Sequence, residues 1–191
     1  MFRSLIALLA LSAPAAVATA QTEAPSPWAL EVTPDGCLVH AAAPSGTVVS
    51  VWGSADNENI RFLIQNRQWD SFEDGGRYDI QVSFDERRAW PMQAVAKRNL
   101  DADGPGLTFA VNPSATAGGS GFLEQFAGAS GMHIARNGQR IDSLKLAGSD
   151  TAMTALAQCL STIWSATATA SSPDESGEEP AAEQAAGATP I

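Results

Sequence analysis

The sequence has few basic residues. Lysine and arginine together number 11, against 21 aspartate and glutamate residues, which gives a formal charge of -10 at pH 7 and a pI near 4.5. Nucleic acid and anionic membranes attract proteins through Lys and Arg, so both should repel this chain. We therefore expect no nucleic-acid partner and favour a protein partner, toward which an acidic surface can steer a basic surface.

Motifs for the common cofactors are also missing. The sequence contains no Gly-x-x-x-x-Gly-Lys phosphate loop and no dinucleotide fingerprint after a predicted strand. Asp101-Ala-Asp103-Gly104 is similar to the start of a calcium loop, but the third oxygen ligand and the terminal glutamate are absent. We expect neither a cofactor nor a bound metal.

Long apolar runs are absent, and the N-terminus is the nearest approach to one. Leu5–Leu11 follows the single charge of Arg3 and stops at Ser12, short of the roughly 20 residues that span a membrane. Ala18-Thr19-Ala20 fits the cleavage site of a secretory signal peptide. We expect residues 1–20 to be removed near Ala20, which leaves a soluble protein in the periplasm or outside the cell.

Composition divides the remaining chain into three parts. Residues 21–27 predict a short lead-in, and residues 28–165, which hold all five tryptophans, predict a single β-rich domain. Ala166–Ile191 has five acidic residues, no basic residue and no aromatic residue. Such a segment buries too little apolar surface to offset its ordering entropy. We expect a disordered acidic tail, either a solubilising terminus or an interaction segment.

Apolar residues in the domain mostly alternate with polar ones, which is typical of strands. The clearest runs are Tyr78–Phe84 and Ile60–Gln65, and Asp74-Gly75-Gly76 between them is a turn signal, so we expect these runs to pair as a long hairpin. Asn137-Gly138 predicts a second, tight hairpin. Further strands are predicted at Ala29–Val32, Cys37–Ala42, Thr47–Trp52, Met92–Lys97, Leu107–Val111, Met132–Arg136 and Gln139–Leu146.

Two segments have a helical period instead. Phe122–Ala129 predicts a short helix. A longer helix should begin at Ser149, whose side chain can cap it, with Asp150 in its first turn and an apolar stripe that runs to Trp164. Many strands followed by a terminal helix predict a mainly β protein with packed helices (α+β), in which an antiparallel sandwich or barrel-like sheet carries a docked C-terminal helix.

The two cysteines form an even pair in a chain with a secretory signal, which predicts a Cys37–Cys159 disulfide between an early strand and the last helix. With His40 and His133 they also have the composition of a zinc centre. The spacing disfavours zinc, because strand residues separated by an odd number point to opposite faces.

Catalytic groups are present without a catalytic motif. Gly118-Gly119-Ser120-Gly121-Phe122 and Gly128-Ala129-Ser130-Gly131-Met132 both miss the last glycine of the hydrolase nucleophile elbow. A triad of Ser120, His133 and Asp142 is the alternative in which the protein is a secreted hydrolase, because triads are recognised by geometry rather than spacing.

Aromatic residues beside a turn are candidates for binding. Trp69 and Phe72 precede the Asp-Gly-Gly signal, where a rigid hairpin could expose them to a partner, although most such aromatics pack in the core.

Several features of the chain occur together: the signal peptide, Gly36-Cys37 in an early strand, Trp69 ahead of Gly-Gly-x-Tyr78, and the ending Leu144-x-Leu146-x-Gly148-Ser149-x-x-Ala152-x-x-x-Leu156-x-x-Cys159. In these features the chain resembles a class of small exported alphaproteobacterial proteins of unassigned activity. The resemblance covers most of residues 28–165 and implies no catalytic residue. The sequence therefore favours a non-catalytic protein-binding module of the cell envelope, such as an inhibitor or adaptor.

Overall fold

The fold is given by a computed structural model, which describes residues 27–170 apart from 55, 99–103 and 116–117. The predicted signal peptide and residues 171–191 of the predicted tail lie outside the described residues. No helix in the described part is long and apolar enough to cross a membrane.

The described chain forms nine strands and two helices. The strands are β1 Trp28–Thr33, β2 Gly36–Ala42, β3 Val48–Ser54, β4 Asn57–Gln65, β5 Arg77–Phe84, β6 Trp90–Lys97, β7 Gly106–Val111, β8 Gly131–Arg136 and β9 Gln139–Lys145. The helices are α1 Gly119–Gly128 and α2 Ser149–Ala170.

The predicted fold class is confirmed. The strands form one nine-stranded sheet in the order β1-β2-β3-β4-β7-β6-β5-β8-β9, and every pair of neighbours is antiparallel. Helix α2 packs against β1, β2 and β3 and against α1. The Asn137-Gly138 turn is also confirmed, since both residues have positive φ between β8 and β9.

The expected hairpin between Ile60–Gln65 and Tyr78–Phe84 is wrong. Strand β4 pairs with β3 and β7, whereas β5 pairs with β6 and β8. Gly75 and Gly76, just before β5, pair with the end of β6 instead: the amide of Gly75 donates to the carbonyl of Ala96, and the amide of Ala96 donates to the carbonyl of Gly76. Local alternation and a turn signal predict that strands exist, but they leave the choice of partner to tertiary packing.

The sheet is curled rather than flat. Trp28 on the first strand donates from Nε1 to the carbonyl of Ala147, just beyond the last strand, over 3.1 Å. Thr47, next to β3, donates from Oγ1 to Asp142 on β9 over 2.7 Å. Residues at opposite sides of the strand order are therefore neighbours, which gives a barrel-like sheet with an inward face and an outward face.

The inward face contains the hydrophobic core. Phe122 and Phe126 of α1 make edge contacts with Phe62 of β4 and Phe84 of β5. Alternate residues of the strands complete this core, as expected for strands with one buried face. The other buried core residues on the strands include Val39, Val49, Val51, Ile64, Ile80, Val82, Ala94, Leu107, Phe109, Met132, Ile134 and Leu144.

The predicted disulfide is confirmed and fastens α2 to the inward face. Cys37 and Cys159 are bonded across 122 residues with their Cα atoms 6.2 Å apart. Helix α2 comes close to β3 at Gly53, where an added Cβ atom would lie 2.6 Å from Cδ1 of Leu160. A disulfide is compatible with an exported protein.

Helix α2 begins at Ser149, as predicted, but it ends later than predicted. It continues to Ala170, five residues beyond the expected end of the domain at Ser165, because the alanine-rich sequence there contains no helix breaker. In the described structure, the hydrogen bonds of the Ser149 side chain are made to α1. The buried hydroxyl of Ser149 lies 3.0 Å from the carbonyls of both Phe126 and Ala127 and so satisfies the end of α1.

Candidate functional site

The outward face of the sheet carries different kinds of side chain in its two halves. On β5 and β6 the outward side chains are polar and exposed, as Asp79, Gln81 and Gln93 show. On β2, β3 and β4 the same face carries large apolar side chains. These are Leu38, Val48, Trp52 and Leu63, and all are half-buried. Neither helix of the described chain covers them, so the apolar patch needs an explanation beyond core packing.

These side chains line a groove of about 400 Å³, which we call the outer groove. Its principal residues are Leu38, His40, Val48, Trp52, Arg61 and Leu63. Glu31 on the edge strand β1 forms one margin, and Ser50 and Gln65 add polar groups to the floor. The volume is within the range of about 300–1,000 Å³ that is usual for ligand sites.

Strand register brings the groove residues together. Leu38 is directly opposite Trp52, and Trp52 is directly opposite Arg61. The next row on the same face aligns His40, Ser50 and Leu63. Because directly paired residues have Cβ atoms roughly 5 Å apart, the two rows form a continuous surface on rigid strands.

A cation over an aromatic ring is the most specific feature of the outer groove. The guanidinium carbon of Arg61 lies 5.1 Å from the ring centroid of Trp52, within the distance at which the ring attracts a cation. The guanidinium has five N–H donors, and a cation–π contact does not use them as hydrogen-bond donors to another group. In the described part of the chain these donors have no acceptor, and the imidazole of His40 has no hydrogen-bond partner.

Sequence reasoning missed the outer groove, although a signal was present. Cys37-Leu38-Val39 is apolar on both faces of its strand, and Val48-Val49 begins the next strand in the same way. An antiparallel strand with one wet face should alternate, so continuous apolar runs indicate that both faces are covered by something.

The predicted binding aromatics are placed elsewhere, and the expectation that they are exposed is wrong. Trp69 is 7% exposed and Phe72 is 3% exposed. Their rings make an edge contact at 5.6 Å, and Phe72 makes another with Tyr78 at 4.9 Å. The connection between β4 and β5 folds back over the end of the core, because burial of two large aromatic side chains stabilises it.

The three parts of the alternative triad are not brought together. Ser120 is exposed in the first turn of α1, which packs on the inward face. His133 lies on the outward face, between inward-facing Met132 and Ile134, and its Nδ1 is 3.0 Å from Oγ of Ser143. Asp142 accepts from Thr47, so its carboxylate is held on the inward side. A serine and a histidine on opposite faces of one sheet cannot share a proton.

The alternative zinc centre is incompatible with the disulfide, because a zinc site needs both sulfurs as free thiolates. Cys37 is fully buried on the inward face, and His40 lines the outer groove on the other side of β2. The odd spacing of the two residues therefore has the predicted consequence.

Comparison of the chain with models of protein families, with curated proteins and with solved structures finds no match. The resemblance to small exported alphaproteobacterial proteins stays a prediction, and any functional assignment depends on the geometry of the chain itself.

Proposed function

We propose that this chain is a non-catalytic binding module of the cell envelope and that it holds another protein in the outer groove. The observation that carries the proposal is the outward face of β2, β3 and β4, which neither helix of the described chain covers. Leu38, Trp52 and Leu63 form an apolar floor there beside the guanidinium of Arg61, which has no acceptor among the described residues. Protein interfaces are typically centred on such aromatic, aliphatic and arginine side chains.

The chemistry of the groove defines what its partner should offer. Apolar side chains of the partner would cover Leu38, Val48 and Leu63, which removes apolar surface from water. A carboxylate or carbonyl of the partner would accept a hydrogen bond from Arg61, which lies over the ring of Trp52. Rigid strands hold all these groups in place, so binding costs little ordering entropy.

The export signal and the overall charge support a partner in the envelope. Residues 1–20 would deliver the protein there after cleavage near Ala20. The net charge of -10 favours approach of a basic protein, such as a cationic hydrolase that the module would inhibit. This long-range attraction is separate from the local contacts in the groove.

The test is capture of partners from envelope extract on the immobilised, oxidised protein. Trp52→Ala removes the ring below Arg61, and Leu63→Asp places a charge on the apolar floor. We expect both variants to release the retained protein, because hot-spot truncation commonly weakens binding by about 2 kcal/mol or more.

The matched control is Trp164→Ala. This indole is 48% exposed on α2 and does not line the outer groove, so the same substitution there should leave capture unchanged. A partner that stays bound to both groove variants would overturn the proposal, as would an oxidised wild-type protein that retains nothing.

A further inference from the structure

A second cavity, independent of the outer groove, lies at the end of the inward face, where the connection between β4 and β5 approaches the β8–β9 hairpin. It has a volume of about 390 Å³ and is open to solvent. We call it the end cavity, and its principal residues are Asn66, Trp69, Phe72, Arg136, Ile141 and Asp142. The apolar core gives way here to charged side chains, which is unusual for inward-facing positions.

Arg136 is fixed in the end cavity by aromatic rings. Its guanidinium carbon lies 4.4 Å from the ring centroid of Tyr78 and 5.4 Å from that of Phe72. Both distances are within the range at which an aromatic ring attracts a cation. The N–H groups of Arg136 have no acceptor among the described residues, and they remain free to donate in a fork to a carboxylate.

Asp142 lies on β9, the strand paired with that of Arg136, and is held by hydrogen bonds. Its Oδ2 accepts from Oγ1 of Thr47 over 2.7 Å and from Nδ2 of Asn66 over 3.4 Å, and its Oδ1 accepts from the amide of Ser143 over 2.7 Å. A carboxylate has about four acceptor positions, so one remains for a donor in the cavity.

Arg136 and Asp142 line the same cavity but form no ion pair with each other in the described structure. The hydrogen bond from Thr47 to Asp142 already connects the strands, and Arg136 contributes nothing to that bond. A role in connecting the strands therefore does not explain Arg136. Two opposite charges, each held in place and each with unused capacity, fit a ligand that carries both complementary charges.

We propose that the end cavity binds a small zwitterion of the amino-acid or dipeptide class. The carboxylate of the ligand accepts from Arg136, its ammonium donates to Asp142, and its apolar side chain packs on Trp69 and Ile141. Arg136 and Asp142 together select for a ligand that carries both charges, and the cavity volume suits a ligand of this size.

The probe is L-alanyl-L-leucine, titrated by calorimetry into the full oxidised chain. Two capped forms test the two charges separately, since the N-acetyl dipeptide lacks the ammonium and the C-terminal amide lacks the carboxylate. We expect each cap to weaken binding by about 10-fold or more, as for the loss of one charge-assisted hydrogen bond.

Substitutions then assign each preference to one side chain. Arg136→Gln should remove the preference for the free carboxylate and keep that for the free amine, and Asp142→Asn should do the reverse. Arg140→Gln is the matched control, because Arg140 is an exposed arginine of the same hairpin outside the end cavity. It should bind all three probes as the wild type does.

The dipeptide and its two capped forms test the proposal on the wild-type protein, so the test holds even if a variant fails to fold. Absence of heat with the dipeptide at millimolar concentration would overturn the proposal. Equal affinity for all three probes would also overturn it, because neither charge would then be recognised. Neither result affects the outer groove, whose test uses different residues.

Discussion

Thr47 donates a hydrogen bond from Oγ1 to Oδ2 of Asp142 over 2.7 Å, although 95 residues separate them in the chain. The side chain of Thr47 is fully buried, and its Oγ1 also accepts from Nδ2 of Asn66 over 2.7 Å. Five strands lie between β3 and β9 in the sheet order. This bond therefore joins the two halves of the curled sheet where no strand ladder connects them in the described structure.

Replacement of Thr47 tests how much this link stabilises the fold. Thr47→Val keeps the shape but removes the donor, so Asp142 and Asn66 lose a partner in a partly buried site. We expect the free energy of unfolding to fall by about 1–3 kcal/mol in chemical denaturation. Thr47→Ser, which keeps the hydroxyl, should lose less. Equal stability of the valine variant and the wild type would show that the link contributes nothing.

The disulfide should account for a large part of the stability. The bond closes a loop of 122 residues, for which chain entropy predicts a stabilisation of about 4–5 kcal/mol relative to the open chain. The paired variant Cys37→Ser with Cys159→Ser should therefore unfold at markedly lower denaturant concentration. Wild-type protein under reducing conditions is the control and should behave in the same way. An unchanged midpoint in both would contradict the prediction.

Docking of α2 depends on the missing side chain at Gly53. In Gly53→Ala the new Cβ would meet Cδ1 of Leu160 at 2.6 Å, so the helix must shift or the leucine must change rotamer. We expect a destabilisation of about 1–3 kcal/mol, typical of overpacking.

A double-mutant cycle shows whether the clash is the cause. Leu160→Ala removes the atom that Gly53→Ala would meet, so the alanine at 53 should cost less in that background. Additive effects of the two substitutions, measured by denaturation, would locate the cost of Gly53→Ala in the backbone of β3 instead.

Sequence patterns were sufficient to predict the strands and helices of this fold. Alternation located strands such as Tyr78–Phe84, which the structure places at Arg77–Phe84, and the Asn137-Gly138 pair located the last hairpin. The disulfide followed from the count of cysteines and their expected compartment. These features are local, or they have only one possible pairing, and one sequence is enough to specify them.

Strand order and the sites were beyond sequence reasoning because both depend on distant pairing. Strand β4 has β7 as a neighbour, from a part of the chain more than 40 residues away. The end cavity could not be predicted for the same reason, because its residues Trp69 and Phe72 are distant from Asp142 in the sequence. Each of these three residues was predicted as functional on its own, but only the curled sheet places them around one space.

Alanine substitutions of Ser120, His133 and Asp142 separate a hydrolase from the binding module. Ser120 is exposed and His133 makes a single side-chain contact at the surface, so each substitution should change the free energy of unfolding by about 0.5 kcal/mol or less. Asp142→Ala should cost more, about 1–3 kcal/mol, because it leaves Thr47 and Asn66 without their acceptor.

Activity measurements complete this prediction. We expect that any turnover of ester or peptide substrates by the wild type will persist in Ser120→Ala and His133→Ala. The reason is that the two side chains lie on opposite sides of the sheet. Ser143→Ala, which removes the hydrogen-bond partner of His133, is the matched control. An activity lost in both the Ser120 and His133 variants, with unchanged unfolding, would require a rearranged sheet and would restore the hydrolase alternative.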